Sequence, residues 1–553
     1  MKSVHFAIAF IAVFVLTPSA QSQSARQLVT ELACGACHPG VEPAAEIETK
    51  APSLSYAGLR YPEAYLFDYL GNPKRVRLHI GKTQMPNFRL TERERLALVL
   101  YLKERLKTDQ PLPAFPTIVQ SWDRKSPRTA EARKMIVDEL KCTFCHKLEG
   151  QGGPIALDLV SVGLRAKANW LVQYLALPQA FDPGSPMPAQ VYSKDQEKNE
   201  LKEVIQDAGS KIQVMVSYLM SFGAKERETM EVAYQRVRSA NPTVTAEDGA
   251  RIFEFQNCGG CHAMRGVNQR HNAPDLSTEG SRVHQTWLRS YLAQPHTIRP
   301  FGFHPGTGSR MPSYDLTTDE LETLTSHLAS LKSDVDATFT PTRLSPFSQR
   351  KAENILRTQL PCFGCHRFDG KGGMVGPDLS SLKPRLQPTF VYRIIKDPQG
   401  TVHESAMPAL PLPKSDVELL ATFLSTRDKK PQHLPQLNII DHGNPGRPDT
   451  TEAGRLYTHY CSPCHGLRGN GDGFNARYLP VQPAKHSDPS VMSVRSDDTL
   501  FDGIYGGGRV LGKSHFMPAF GKTLTREQIW SLVRFIRTLC TCEGPAWSQE
   551  GNR

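Results

Sequence analysis

Five times the chain carries the pattern Cys-X-X-Cys-His: Cys34, Cys37 and His38; Cys142, Cys145 and His146; Cys258, Cys261 and His262; Cys362, Cys365 and His366; Cys461, Cys464 and His465. Two thiols at this spacing can add across the two vinyl groups of one haem, while the histidine that follows reaches the same iron as its proximal ligand. Random placement of 12 cysteines and 18 histidines in 553 residues would give roughly 0.01 such matches, so coincidence is dismissed. Structural zinc is the competing chemistry. It draws four ligands from paired knuckles, and a histidine directly after the second cysteine is awkwardly placed for one tetrahedral ion. The motifs therefore point to five covalently attached haem c groups. Only Cys540 and Cys542 fall outside them, and an intermolecular bridge, a redox role and a simple disulfide are all open for that pair.

A second set of residues recurs with the first. Met85, Met187, Met311, Met407 and Met517 each precede a proline and lie 41 to 52 residues beyond a motif histidine. A thioether in the second axial position completes six-coordinate iron and raises its potential relative to two imidazoles; the proline stiffens the loop that presents the sulfur. Most methionines are core filler, but five Met-Pro pairs at matched places favour ligation. His79, His304, His403 and His515 lie near these methionines and are candidate substitutes in individual units, or loop residues and propionate donors.

The elements that must position these groups read as mainly α. Closing helices are expected at Thr91 to Lys107, Leu201 to Phe222, Thr317 to Leu331, Lys414 to Leu424 and Thr525 to Leu539. Caps are expected at Thr91 with Glu94, Thr318 with Glu320 and Thr525 with Glu527. Helices from Thr245 to Asn257 and Thr451 to Tyr460 lead into motifs. The motif period near one hundred residues and a hydrophobic content of 39% argue for five small units rather than one large core, each using a haem as part of its interior. The expected units are 26–110, 128–225, 243–335, 345–428 and 450–542, with linkers at 110–127, 338–346 and 429–449; the last suggests that unit five moves relative to the rest.

Within this period lies an older one. Gly150, Gly152, Gly153, Asp158 and Leu159 match Gly370, Gly372, Gly373, Asp378 and Leu379 at an offset of 220, and Ala51, Pro52, Leu54, Ser55, Tyr69 and Pro73 match Ala273, Pro274, Leu276, Ser277, Tyr291 and Pro295 at 222. Units one and two together were duplicated to give three and four. Residues 1–22 read as a signal peptide: Lys2, an apolar run from Phe6 to Leu16, then small residues. Eleven apolar residues are too few to span a bilayer, which takes roughly 20, so a cleaved leader and a periplasmic or exported location are expected. The formal charge of +11 would be largely cancelled by about ten haem propionates, so it implies no nucleic-acid partner.

The units resemble bacterial class I cytochromes c, in which a leading helix runs into Cys-X-X-Cys-His, a loop carries Met, and a closing helix crosses the first. Unit five is the fullest match, with Gly454, Tyr457, Tyr460, Cys461, Cys464, His465, Gly466, Gly469, Asp472, Gly473, Met517, Pro518, Trp530 and Ile536. Units one to four resemble the related multidomain type in which Pro-Asp-Leu follows the motif, kept at Pro274 to Leu276 and Pro377 to Leu379 but altered to Pro52-Ser53-Leu54 and Ala156 to Leu159. The resemblance implies five tandem class I cytochrome c domains, each a small helical bundle around one haem c. It also implies an electron relay between a donor dehydrogenase or quinol-oxidising complex and an acceptor oxidase or reductase, with association into a membrane complex left open. Two alternatives stand beside it. One is a cytochrome subunit of a periplasmic dehydrogenase; the other is a multihaem peroxidase or nitrogen- or sulfur-compound oxidoreductase with one open iron.

Overall fold

The computed structural model describes residues 25–38, 51–74, 85–106, 128–181, 185–194, 201–261, 273–303, 306–333, 338–429, 434–438, 440 and 451–549. The expected leader and the expected linker at 110–127 lie outside the described residues, as do His79, His262 and His304. The described chain is mainly helical, with only three short antiparallel strand pairs. Two of these pairs are equivalents at the 220 offset. Lys147 and Leu148 face Gly152 and Gln151, and Arg367 and Phe368 face Gly372 and Lys371. None of the described helices is long and apolar enough to cross a membrane.

Units two, four and five each close on themselves. The leading helices Arg128–Lys134, Pro346–Asn354 and Glu452–Leu456 pack against the closing helices Ala208–Met220, Lys414–Ser425 and Arg526–Cys540. Each leading helix then widens into a π turn, Met135–Glu139, Ile355–Gln359 and Tyr457–Cys461, which ends two residues short of the first motif cysteine in units two and four and at it in unit five. Such a turn re-aims the chain without ending the helix.

Units one and three do not follow the expected tandem order. The leading helix of unit one, Ala25–Glu31, packs on the closing helix of unit three, Thr318–Ser330, burying Leu28 and Val29 with Leu321, Leu324 and Leu328. Reciprocally, the leading helix of unit three, Ala246–Phe255, packs on the closing helix of unit one, Glu92–Lys103, burying Ile252 and Phe253 with Leu96 and Leu102. The backbones meet so closely that a Cβ on Gly249 would lie 2.0 Å from the Ala97 carbonyl oxygen. Sequential domains 26–110 and 243–335 are therefore interleaved. The lever is a helix that no sequence pattern announces, Ala224–Ala240. Its Tyr234 packs on Phe67 and donates to Glu63 at 2.5 Å, and its Arg236 pairs with Glu92 at 2.9 Å. It runs across unit one and delivers the following helix there. The two exchanged helices bury apolar residues at equivalent places, Leu28 and Val29 in one and Ile252 and Phe253 in the other.

Other expectations shift for local reasons. A capping box needs its acidic or amide partner at the third helical position. Thr91 with Glu94 satisfies this, but the caps of the later helices are Thr317 with Glu320 and Thr525 with Gln528 rather than Thr318 and Glu527. The stretch expected as a helix from Leu201 begins instead as a strand, Leu201–Glu203, paired with Tyr192–Lys194; Asp207, left-handed at φ 56°, separates it from the helix. Unit five is not loosely tethered. Arg509 donates to the Gln359 carbonyl at 3.1 Å, and the Ala409 amide donates to Thr523 Oγ1 at 2.9 Å.

Replacing Gly249 by Val is expected to force apart the exchanged helix crossing and cost about 2–4 kcal/mol of stability, measured as a fall in thermal midpoint; an unchanged midpoint would contradict this packing.

Candidate functional site

At the first three motifs the residue before the first cysteine is left-handed: Ala33, Lys141 and Asn257 at φ 53°, 51° and 52°. The cysteines then sit on a tight turn, Cys34–Ala36, Cys142–Phe144 and Cys258–Gly260; in units four and five the turn is the short helix Cys362–Cys365 or Ser462–His465. A non-glycine residue in that region carries strain that the surroundings must hold. None of the ten motif cysteines is in a disulfide, whereas Cys540 and Cys542 are bonded to each other. Burial pushes the Cys34, Cys258, Cys362 and Cys461 thiols up to about 12.

Each described motif histidine donates through Nδ1 to a backbone carbonyl. His146 meets Leu157 at 2.8 Å, His366 meets Pro377 at 2.8 Å and His465 meets Ala484 at 2.9 Å. With Nδ1 protonated, Nε2 is left as the metal-binding atom and the ring is fixed. Burial lowers the pKa of His146, His366 and His465, which keeps them neutral. His38 satisfies the same requirement out of unit: its Nδ1 lies 2.8 Å from the Pro274 carbonyl.

Unit four shows how a haem would be held. One cavity is lined by Cys362, Cys365 and His366 together with Met407, Pro408, Leu420 and Leu424. Arg282, Arg299 and Arg385 also line it. Arg385 is pushed down to about 9 by burial and by the charges of Arg299 and Arg282, and Arg299 to about 10 by burial and by Arg282. Arg385 Nε is a buried donor with no partner among the described residues. Half-buried cations beside an apolar slot with two thiols, an imidazole and a thioether fit a haem, whose propionates would take the Arg299 and Arg385 guanidinium groups, while Arg282 is paired with Glu279 at 2.8 Å. Unit three supplies two of the three arginines, so the slot lies at a junction. The same junction is repeated between units one and two. Gln387 donates to Arg282 and Lys167 to Arg60, backbone to backbone, at 2.9 and 2.8 Å.

Met187 and Met407 are fixed in equivalent loops, each carbonyl accepting from a glutamine, Gln179 at 2.7 Å and Gln399 at 2.8 Å. Met517 packs in the unit-five core with Cys461. Met311 shares a core with Cys34, and Met85 shares one with Cys258. Of the alternative ligands, His403 is exposed and His515 Nε2 is 3.2 Å from the Arg357 carbonyl.

Three residues emerge only from the structure. Asn257 Nδ2 donates to the Ala36 carbonyl at 2.6 Å and lies 3.7 Å from Cys37 Sγ. Asn475 Nδ2 donates to the Gly364 carbonyl and lies 3.4 Å from Cys464 Sγ, while its Oδ1 accepts from the Met374 amide at 2.8 Å. In both places the asparagine bonds the residue before another motif's second cysteine, so motifs one and three touch, and motifs four and five touch. His486, the third, is buried, stacks on His465 with ring centres 4.0 Å apart, and faces the Tyr457 hydroxyl at 2.9 Å. None of the three carries a spacing signal. Asn475→Ala is expected to leave buried backbone groups unpaired and weaken the contact of units four and five by about 2–4 kcal/mol, read as earlier proteolytic release of unit five; release at the wild-type rate would contradict the contact.

The cytochrome c family model matches residues 22–105 and 246–332, and the model described as cytochrome c oxidase, cbb3-type, subunit III matches residues 448–536. A subunit of the nicotinate dehydrogenase of Pseudomonas putida is 28% identical over 145 residues, which are 25% of this chain and 11% of that protein. The chain thus spans about a tenth of the length of this curated relative. A chain of the reducing HAO-like protein complex of Kuenenia stuttgartiensis aligns with 36% of this chain and 99% of its own length at 18% identity, with a TM-score of 0.14, too loose a likeness to carry an argument. Three separate segments that match cytochrome families, each containing an attachment motif on a helical scaffold, make the chain a multihaem c-type cytochrome.

Proposed function

We propose that the chain is a periplasmic electron relay carrying five covalent haems c, attached at the five motifs and closed by the motif histidines on one side and by Met85, Met187, Met311, Met407 and Met517 on the other. The observation that carries this reading is the recurrence, in units two, four and five, of one arrangement. The imidazole is fixed through Nδ1, and in unit four the motif cysteines, His366 and Met407 line one and the same cavity. The haem supplies the redox chemistry, cycling between ferric and ferrous. The chain's residues orient each imidazole, exclude water and place cations at the propionates.

Contact between motifs one and three and between motifs four and five supports this reading, because haems attached there would be neighbours, the arrangement a relay needs. Its partners are a donor dehydrogenase or quinol-oxidising complex and an acceptor oxidase or reductase. The match to a dehydrogenase subunit favours a second reading, a cytochrome subunit held permanently in a periplasmic dehydrogenase.

Intact mass of the purified protein is expected to equal the polypeptide plus five haems, with each Cys-to-Ser motif pair subtracting one; three haems would overturn the proposal. Arg385→Leu removes a buried positive charge that favours the ferrous form. It is expected to lower one haem's potential by on the order of 60 mV, a tenfold change for a one-electron couple, in a spectroelectrochemical titration; unchanged potentials would contradict the arginine's role.

A further inference from the structure

We infer that units one and three exchange haem ligands: the haem attached at Cys34 and Cys37 takes Met311, and the haem attached at Cys258 and Cys261 takes Met85. This deepens the proposed ligand set and rests on it. Cys34 and Met311 pack in one core with Leu28, Leu324 and Leu328, and Cys258 and Met85 pack in the other with Ile252 and Phe253. His38 Nδ1 finds its carbonyl at Pro274, whereas the sequence-equivalent carbonyl within its own unit is that of Pro52, 222 residues earlier.

The two methionine loops are also joined to each other. Asn87 and Ser313 exchange both backbone hydrogen bonds at 2.9 Å, and Arg89 donates to the Met311 carbonyl at 2.9 Å. Arg310, beside Met311, pairs with Glu94 at 2.5 Å, the two side chains 4% and 0% exposed. A buried pair of this kind is strongly destabilising to break by removing one partner, so each loop is held in place across the exchange. Asn257 completes the arrangement, its Nδ2 donating to the Ala36 carbonyl at 2.6 Å and lying 3.7 Å from Cys37 Sγ. The attachment turns of motifs one and three therefore meet at one seam, and each haem held there would be completed by the other unit's methionine loop.

The test is a double-variant cycle in the full holoprotein, read by the long-wavelength methionine-to-iron charge-transfer band of the ferric form. In the otherwise unaltered protein, Met85→Leu and Met311→Leu are each expected to remove one haem's share of the band. In a Cys34→Ser, Cys37→Ser background, Met85→Leu should still remove one share and Met311→Leu none. The reverse result would mean ligation within each unit and overturn the exchange, as would loss from both. If that background does not accumulate, Cys258→Ser, Cys261→Ser serves in its place, with Met311→Leu now active and Met85→Leu silent. Absence of any effect of either methionine in the unaltered background would instead refute the proposed ligands themselves.

A second inference stands on different residues. We propose that unit two docks a haem c domain of another protein through the face that unit four uses for unit five. At the 220 offset Phe144 corresponds to Gly364 and Ile155 to Val375. In unit four this face is covered: the Gly364 carbonyl accepts from Asn475, and Val375 packs with Phe474. In unit two Phe144 is 75% and Ile155 63% exposed. The duplicated scaffold shows what such a face accommodates, a domain of the unit-five kind presenting its own attachment turn.

The probe is a small reduced monohaem class I cytochrome c, mixed with the oxidised full-length protein by stopped flow. Phe144→Ser with Ile155→Ser is expected to lower the second-order rate at least tenfold, with all haems retained, while Val232→Ser, on another exposed surface, leaves it unchanged. Equal effects of both changes, or no effect of the first, would overturn the proposal. So would a dimer in sedimentation that the first change abolishes, since it would give the face to a second copy of this chain.

Discussion

The structure is organised by what a proximal imidazole demands. To present Nε2 to an iron, each motif histidine must give its Nδ1 proton to a fixed carbonyl, and a two-thiol turn offers none of its own. The carbonyl has to come from a folded body some distance away. In units two, four and five it arrives 11 to 19 residues later, from Leu157, Pro377 and Ala484. For His38 it arrives from Pro274. An attachment segment is therefore incomplete until a body closes on it, and the body need not be its own. The helix Ala224–Ala240 settles which body it is, by laying unit three's leading segment against unit one.

The same demand explains the burial of charge. A slot that excludes water must still accept propionates. Arg282, Arg299 and Arg385 gather where units three and four join, and Arg60 and Arg165 occupy the equivalent places between units one and two. Burial lowers the pKa of Arg299 and Arg385, a condition that an anionic group in the slot would relieve. Haem binding and unit docking thus share residues, and domain interfaces in this chain double as cofactor sites.

Much of this is legible in the sequence alone. The motifs, the Met-Pro loops, the duplication and the ends of most closing helices follow from local patterns whose periods are short. The exchange is hidden because duplicated helices carry the same apolar faces, so no pattern distinguishes a helix that packs at home from one that packs abroad. The strand Leu201–Glu203 is masked because Leu201, Val204, Ile205, Ala208 and Ile212 are spaced like one helix face across Asp207. The docking of unit five is hidden by linker composition, since the contacts that hold it run through Asn475, Thr523 and Arg509, single polar residues with no repeat to reveal them. His486, stacked on His465, is likewise one histidine among 18.

An electron relay needs every iron closed, while an enzyme needs one open. The most direct measurement is a carbon monoxide difference spectrum of the dithionite-reduced purified protein, because only iron with a vacant or labile sixth position binds the gas readily. The account predicts no binding at any haem; saturable binding at one haem per chain would contradict it.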